Sequence, residues 1–135
     1  MDLSQFDTLS TAQEQGIDVE ILDPAGKPIG VSIKMAGPDS ERAKKAQRKI
    51  TNARLARRNL KPLTAEEIED EVMASLGDMT ISWSPITLDG ADLPCTAENA
   101  AKLYRRFPFI RDQVNEAAGD RAGFLQPSAS PSSKP

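Results

Sequence analysis

Residues 42–71 read RAKKAQRKITNARLARRNLKPLTAEEIEDE and join a basic segment to an acidic one. Nine of the seventeen Lys and Arg residues in the chain lie between Arg42 and Lys61, and an acidic run over 66–71 follows. Small and apolar residues recur in the basic segment at three- to four-residue spacing, which predicts a helix over about 40–59 with a narrow stripe. The members of that stripe are Ala43, Ala46, Ile50 and Ala53.

The acidic segment predicts a second helix, which begins after a break at 60–63. Thr64 stands three residues before Glu67, and this is the spacing of a capping box. Gly77 costs a helix interior about 1 kcal/mol relative to Ala, so we expect the helix to kink or end near it. Its predicted apolar stripe consists of Ile68, Val72, Leu76, Met79 and Trp83.

The flanking segments predict further short elements. Residues 2–15 show helical apolar spacing, and two alternating segments around a turn at 23–28 predict a β-hairpin. Asp89-Gly90 predicts a second tight turn in a small β element. Thr96 is a capping residue before another helix, and Pro108 either interrupts that helix or begins the next.

Together these elements predict an α+β fold that is predominantly α-helical. A short N-terminal helix and the β-hairpin come first, and a bundle of about four helices follows. A chain of 135 residues suits a single domain, which we place at 1–125. Residues 126–135 are rich in Pro and Ser and lack apolar periodicity, so we expect a flexible, disordered tail there.

The composition argues against an enzyme. The chain has no His, which is the commonest general base near neutral pH, and its one cysteine, Cys95, has no His to activate it. A zinc site lacks ligands, and the carboxylates of 66–71 point around their helix rather than converging on a cation. We therefore expect no catalytic residue, no metal site and no cofactor.

The chain is also expected to act in a reducing, aqueous compartment. No apolar run approaches the roughly 18 residues that a membrane span needs, and the start of the chain lacks the apolar core of a signal peptide. A lone cysteine excludes an intrachain disulfide. The expectation is a cytoplasmic protein with no membrane partner.

The basic helix allows two interpretations. It is either a surface for a polyanion such as nucleic acid or one half of an antiparallel pair in which the acidic helix neutralises it. The net charge of −3 and the absence of interleaved aromatic residues favour the pairing. The candidate residues are Arg42, Lys45, Arg48, Lys49, Arg54, Arg57 and Arg58.

A second dense segment combines aromatic residues with arginine. Such clusters are typical of interface anchors, but the chain has only six aromatic residues and its core needs their volume. Core packing is therefore favoured over partner binding here. The candidate partner-binding residues are Tyr104, Phe107, Phe109, Ile110 and Arg111.

Residues scattered over 1–125 give the sequence a resemblance to a known family. They are Phe6-Asp7, Asp23 to Gly30, Gly37 to Ser40, Trp83, Leu88 to Gly90, Pro94, Glu98 to Ala100, Leu103-Tyr104, Phe107 to Val114, Asp120-Arg121 and Phe124-Leu125. In these the chain resembles the tail assembly chaperones of long-tailed bacteriophages.

The resemblance implies a function without catalysis. A protein of this family binds the long, helical, apolar tape measure protein in the host cell cytoplasm, keeps it soluble, and is absent from the finished virion. A frameshifted longer form recruits the tail tube protein, and residues 126–135 would suit a linker to such an extension. Association of copies along the client would add avidity, so a homo-oligomer is expected. The rival interpretations are a structural tail component and a nucleic-acid-binding accessory protein that uses residues 42–61.

Overall fold

The computed structural model describes residues 1–57 and 61–125. Over these residues the protein is mostly helical, with a three-stranded antiparallel sheet and a separate two-stranded one. After a 3-10 turn at Leu3–Phe6, the helices are α1 (Asp7–Gln15), α2 (Glu41–Ala56), α3 (Ala65–Met79), α4 (Ala97–Arg106), α5 (Pro108–Gly119) and α6 (Arg121–Leu125). The strands are β1 (Ile17–Leu22), β2 (Pro28–Met35), β3 (Thr80–Trp83), β4 (Thr87–Leu88) and β5 (Ala91–Asp92).

Local chemistry sets most element boundaries where the sequence predicted them. Asp23 closes the β1–β2 turn, because its carboxylate accepts hydrogen bonds from the backbone N–H groups of Ala25 and Lys27. Thr64 and Glu67 form the predicted capping box at the start of α3. The side chains of Ser40 and Thr96 cap α2 and α4, and Pro108 occupies the first turn of α5.

The arrangement of the elements differs from the prediction in one respect. The chain does not pass from the hairpin into an uninterrupted helical bundle, because after α3 it returns to the sheet as β3 and pairs antiparallel with β2. The four residues of β3 are too few for a pattern, and Trp83 extends the apolar spacing of α3. The α+β character is confirmed, whereas the predicted bundle of consecutive helices is not.

The core lies where the β1–β2–β3 sheet meets α3, α4 and α5. Tyr104 is fully buried at its centre, and its hydroxyl lies 2.6 Å from that of Thr80. Gln113 on α5 donates to and accepts from the backbone of Leu22, which fixes α5 against the edge of the sheet. The other core residues at or below 2 % exposure include Ile21, Ile33, Met35, Ala100, Leu103 and Val114.

The predicted tail at 126–135 and residue Arg58 lie outside the described residues. None of the described helices is both long enough and apolar enough to cross a bilayer.

Candidate functional site: an apolar groove beside the basic helix

The basic and acidic helices lie antiparallel and are joined by ion pairs. Lys49 contacts Asp78 at 2.9 Å, and Arg54 contacts Glu71 at 2.7 Å. A third pair, Arg57 with Glu67, has an N–O distance of 3.6 Å. The residue numbers fall along α2 as they rise along α3, which is the antiparallel register of the pairing interpretation. All three pairs are accessible to water, so they set the register of the two helices more than their stability.

The remaining predicted basic residues are distributed around α2. Arg48 pairs with Glu41 on the same helix at 3.8 Å, and Arg42 donates to the backbone carbonyl oxygens of Asp78 and Thr80. Lys45 lies beside Arg42 and makes no salt bridge among the residues that the structure describes. A polyanion surface on this side of α2 therefore stays a prediction.

A groove of about 720 Å³ lies between α2 and the C-terminal end of α5, and α3 forms its floor. One wall is the face of α2 that carries Ile50. The floor is the face of α3 that carries Val72, and the other wall is formed by Asn115, Ala118 and Gly119. Pro38 lies in the lining near the N-terminal end of α2. Four of the lining residues are charged or long polar ones at the rim: Lys44, Gln47, Arg54 and Glu71.

The groove exposes part of the apolar stripe that the sequence pattern predicted for α3. Ile68 and Val72 are 44 % and 42 % exposed, whereas Leu76 and Met79, farther along the same stripe, are buried. The predicted stripe of α3 therefore divides into a buried C-terminal half and an accessible N-terminal half. A water-accessible apolar surface of this kind, bordered by polar residues, is typical of a protein-binding site.

The structure divides the predicted aromatic cluster in the same way. Tyr104 and Ile110 are buried in the core and are not accessible to a partner. Phe107 and Phe109 are half-buried, with their ring centroids 6.3 Å apart in an edge-to-face arrangement. Arg111 is half-buried and contacts its neighbour Asp112 at 3.1 Å. Of the five predicted partner-binding residues, only the two phenylalanines and the arginine are accessible, and their binding to a partner stays a prediction.

The ionisable groups in the interior are structural rather than reactive. Burial raises the pKa of Tyr104 to about 12, because its phenolate would lose hydration. Burial also raises the pKa of the Cys95 thiol, which keeps the sulfur protonated and weakly nucleophilic near neutral pH. Within 1–57 and 61–125, no three His, Cys, Asp or Glu side chains are grouped so that they could hold a metal ion.

Comparison of the chain with protein-family models, with curated proteins and with solved structures gives no significant match. The groove could not be read from the sequence, because the apolar spacing of α3 is the same in its covered and uncovered halves.

Proposed function

We propose that this protein is a non-catalytic, helix-binding protein that acts as a bacteriophage tail assembly chaperone. Its client is the tape measure protein, which it keeps soluble in the host cell cytoplasm until tail tube subunits assemble around it. The groove bounded by α2, α3 and α5 carries the proposal, because it leaves Ile68 and Val72 accessible to a partner. The resemblance in sequence supplies the identity of the client.

The apolar surface in the groove suits a weak, repeated contact. Covering a half-exposed Ile or Val side chain stabilises a complex by about 1 kcal/mol, so one groove holds its client loosely. Copies bound next to each other along a long client add their affinities through avidity, which favours a homo-oligomer on the client. Loose single contacts also let the client be released when the tail tube replaces the chaperone.

Co-expression of the protein with the tape measure protein tests the proposal. The double variant Ile68→Asp/Val72→Asp places two carboxylates in the groove and should leave most of the client insoluble and lost from pull-downs. The matched control is Ile29→Asp, because Ile29 is 41 % exposed on β2 and is not part of the groove lining. Circular dichroism confirms that each variant is folded. A groove variant that holds the client as well as the Ile29 control does would exclude the groove as the client site.

The phenylalanine pair is tested in the same experiment. Phe107→Ala/Phe109→Ala removes the accessible part of the aromatic cluster, which we also expect to contribute to client binding or self-association. Undiminished client solubility and pull-down with this folded variant would remove the cluster from the binding surface.

A second candidate function has one observation in its favour. Arg42, Lys45 and Lys49 follow one another at three- and four-residue spacing on one side of α2, which is a geometry that can track phosphates. Nucleic-acid binding at micromolar concentration in ~150 mM salt, with a steep decrease at higher salt, would support an accessory protein of nucleic acid. Absence of binding under these conditions would exclude it.

A further inference from the structure

We infer that the groove receives a single client helix with a heptad apolar repeat, and that this helix carries acidic residues along the flank that faces α2. The inference rests on the proposed function, since it specifies the chemistry of the client at the same groove. Three observations lead to it, namely the spacing of the lining residues, the size of the groove and the distribution of charge around it.

The lining residues have coiled-coil spacing on both helices. Ala43, Gln47, Ile50 and Arg54 form one set on α2, where Lys44 also lines the groove. Ile68, Val72, Ser75 and Met79 form a second set on α3, where Glu71 and Leu76 also line it. Each set follows steps of four, three and four residues, which is the spacing of the a and d positions of a heptad. Two antiparallel helices that present such positions toward the same groove offer holes for the side chains of a third helix. The occupant should therefore repeat its apolar residues in heptads.

The size of the groove fits a short stretch of helix. The lining of α2 extends from Ala43 to Arg54, about 16 Å or three helical turns at 1.5 Å per residue. Small residues occur on all three helices that line it, with Ala43 on α2, Ser75 on α3, and Ala118 and Gly119 on α5. Small side chains let the axes of packed helices approach to about 8–10 Å, so a client helix can lie in the groove against α2, α3 and α5.

The two walls differ in charge. The α2 wall contributes two basic residues to the lining, Lys44 and Arg54, while the lining from α5 is uncharged. Arg54 is neutralised by Glu71, but Lys44 makes no salt bridge among the described residues, although its charge helps to lower the pKa of Asp39. A carboxylate on the client would pair with Lys44 at the rim. Acidic residues are therefore favoured on the α2 side of the bound helix, and the α5 side has no such preference.

Three fluorescein-labelled peptides of about 21 residues, three heptads long, test the inference with the full chain in ~50 mM and ~150 mM salt. The first has leucine at heptad spacing and glutamate along one flank, the second has lysine in place of glutamate, and the third has the composition of the first with its leucines out of heptad register. Fluorescence anisotropy should show the first peptide binding about fivefold to tenfold more tightly than the second, with a smaller ratio at the higher salt. The third should not bind measurably.

Two protein variants assign this preference to the groove. Lys44→Glu should remove or reverse the preference for glutamate over lysine, and Val72→Asp should abolish binding of both heptad peptides. Lys102→Glu is the matched control, because Lys102 is an exposed lysine on α4 and is not part of the lining. It should leave the ratio unchanged.

The remaining outcomes overturn either the inferred client chemistry or the proposed function, and they can be distinguished. Equal binding of the glutamate and lysine peptides, binding of the shuffled peptide, or no binding at all would contradict the proposed client chemistry. If the free protein self-associates in sedimentation velocity and Ile68→Asp/Val72→Asp makes it monomeric, the occupant is a second copy of this chain. If the peptides behave as expected but the tape measure protein binds the groove variant normally, the groove chemistry holds and the proposed client is wrong.

Discussion

The sheet-facing layer and the basic helix α2 differ sharply in how they are packed. In the layer formed by the β1–β2–β3 sheet with α4 and α5, side chains such as Tyr104 and Val114 are completely buried. In α2, with sixteen residues, only Ala46 is buried. A helix attached by so little apolar contact adds little to the free energy of unfolding and instead forms a wall of the groove. The buried packing that stabilises the fold and the accessible groove therefore lie in different parts of the described structure.

Helix α3 belongs to both parts. Met73 is buried and is not part of the groove lining, while Ile68 and Val72 are accessible in the groove. Substitutions on its two faces should consequently separate loss of stability from loss of binding, and the predictions that follow use this division.

The largest effect is expected from Tyr104→Ala. Removing a fully buried aromatic ring leaves a cavity and should lower the free energy of unfolding by about 3–5 kcal/mol, measured by urea denaturation. Tyr104→Phe is the control: it removes only the hydroxyl next to Thr80 and should cost about 1–2 kcal/mol. If Tyr104→Ala were as stable as the Phe variant, the ring would not be a central part of the core.

Gly77→Ala should have the next largest effect. Helix propensity alone favours Ala by about 1 kcal/mol, but an added Cβ would lie 2.5 Å from the backbone carbonyl oxygen of Ala97. Because neither backbone can move independently, we expect a net loss of about 1–3 kcal/mol in the free energy of unfolding. Gly119→Ala is the matched control, since it also gains propensity but meets no atom within 4 Å. Stabilisation by Gly77→Ala would show that α3 and α4 pack less closely than described.

This glycine also shows what the sequence could and could not predict. A glycine in a helical pattern predicted a kink or an end near Gly77, and α3 does end close to it, at Met79; the close packing of the glycine on α4 was not predicted. By contrast, the capping box of Thr64 and the turn closed by Asp23 were predictable, because each depends on residues only a few positions apart.

What the sequence could not supply is the set of distant contacts. Strand β3 exists because it pairs with β2, about 45 residues earlier in the chain, and its four residues carry too little pattern of their own. The groove depends on where α5 ends relative to α2, and no local pattern encodes that distance. Hence the predicted stripe of α3 did not separate accessible Ile68 from buried Leu76, and short α6, which buries Phe124, was not predicted.

A smaller effect is expected from Asp39→Asn, which weakens the link between the start of α2 and α6. Hydrogen bonds from Arg121 and then from Gln13 hold the pKa of Asp39 well below its usual value of 3.8. A carboxyl group with a lowered folded-state pKa stabilises the protein above about pH 4, and this contribution is lost as the pH falls below that value.

The measurement is the melting temperature of both proteins at several pH values. Because Asp39 and Arg121 are largely exposed, the substitution should lower Tm by only about 1–3 °C at pH 7. The difference should shrink as the pH falls from 4 towards 2. A difference that persists unchanged at pH 2 would mean that the ionised carboxylate is not its cause.

The smallest effect on stability should come from Val72→Ser, and it is the most direct test of the division within α3. Val72 is 42 % exposed in the groove, and Ser and Val have similar helix propensities, so the free energy of unfolding should change by less than about 0.5 kcal/mol. Met73→Ser, one residue along, removes a side chain that is 4 % exposed and should cost about 2–5 kcal/mol. The order of the two effects should be reversed for peptide binding. Val72→Ser should weaken binding of the glutamate-bearing heptad peptide, whereas Met73→Ser should leave it unchanged at temperatures where that variant stays folded. If Val72→Ser destabilised the chain as much as Met73→Ser does, the groove would be part of the core, and its apolar surface would need no partner.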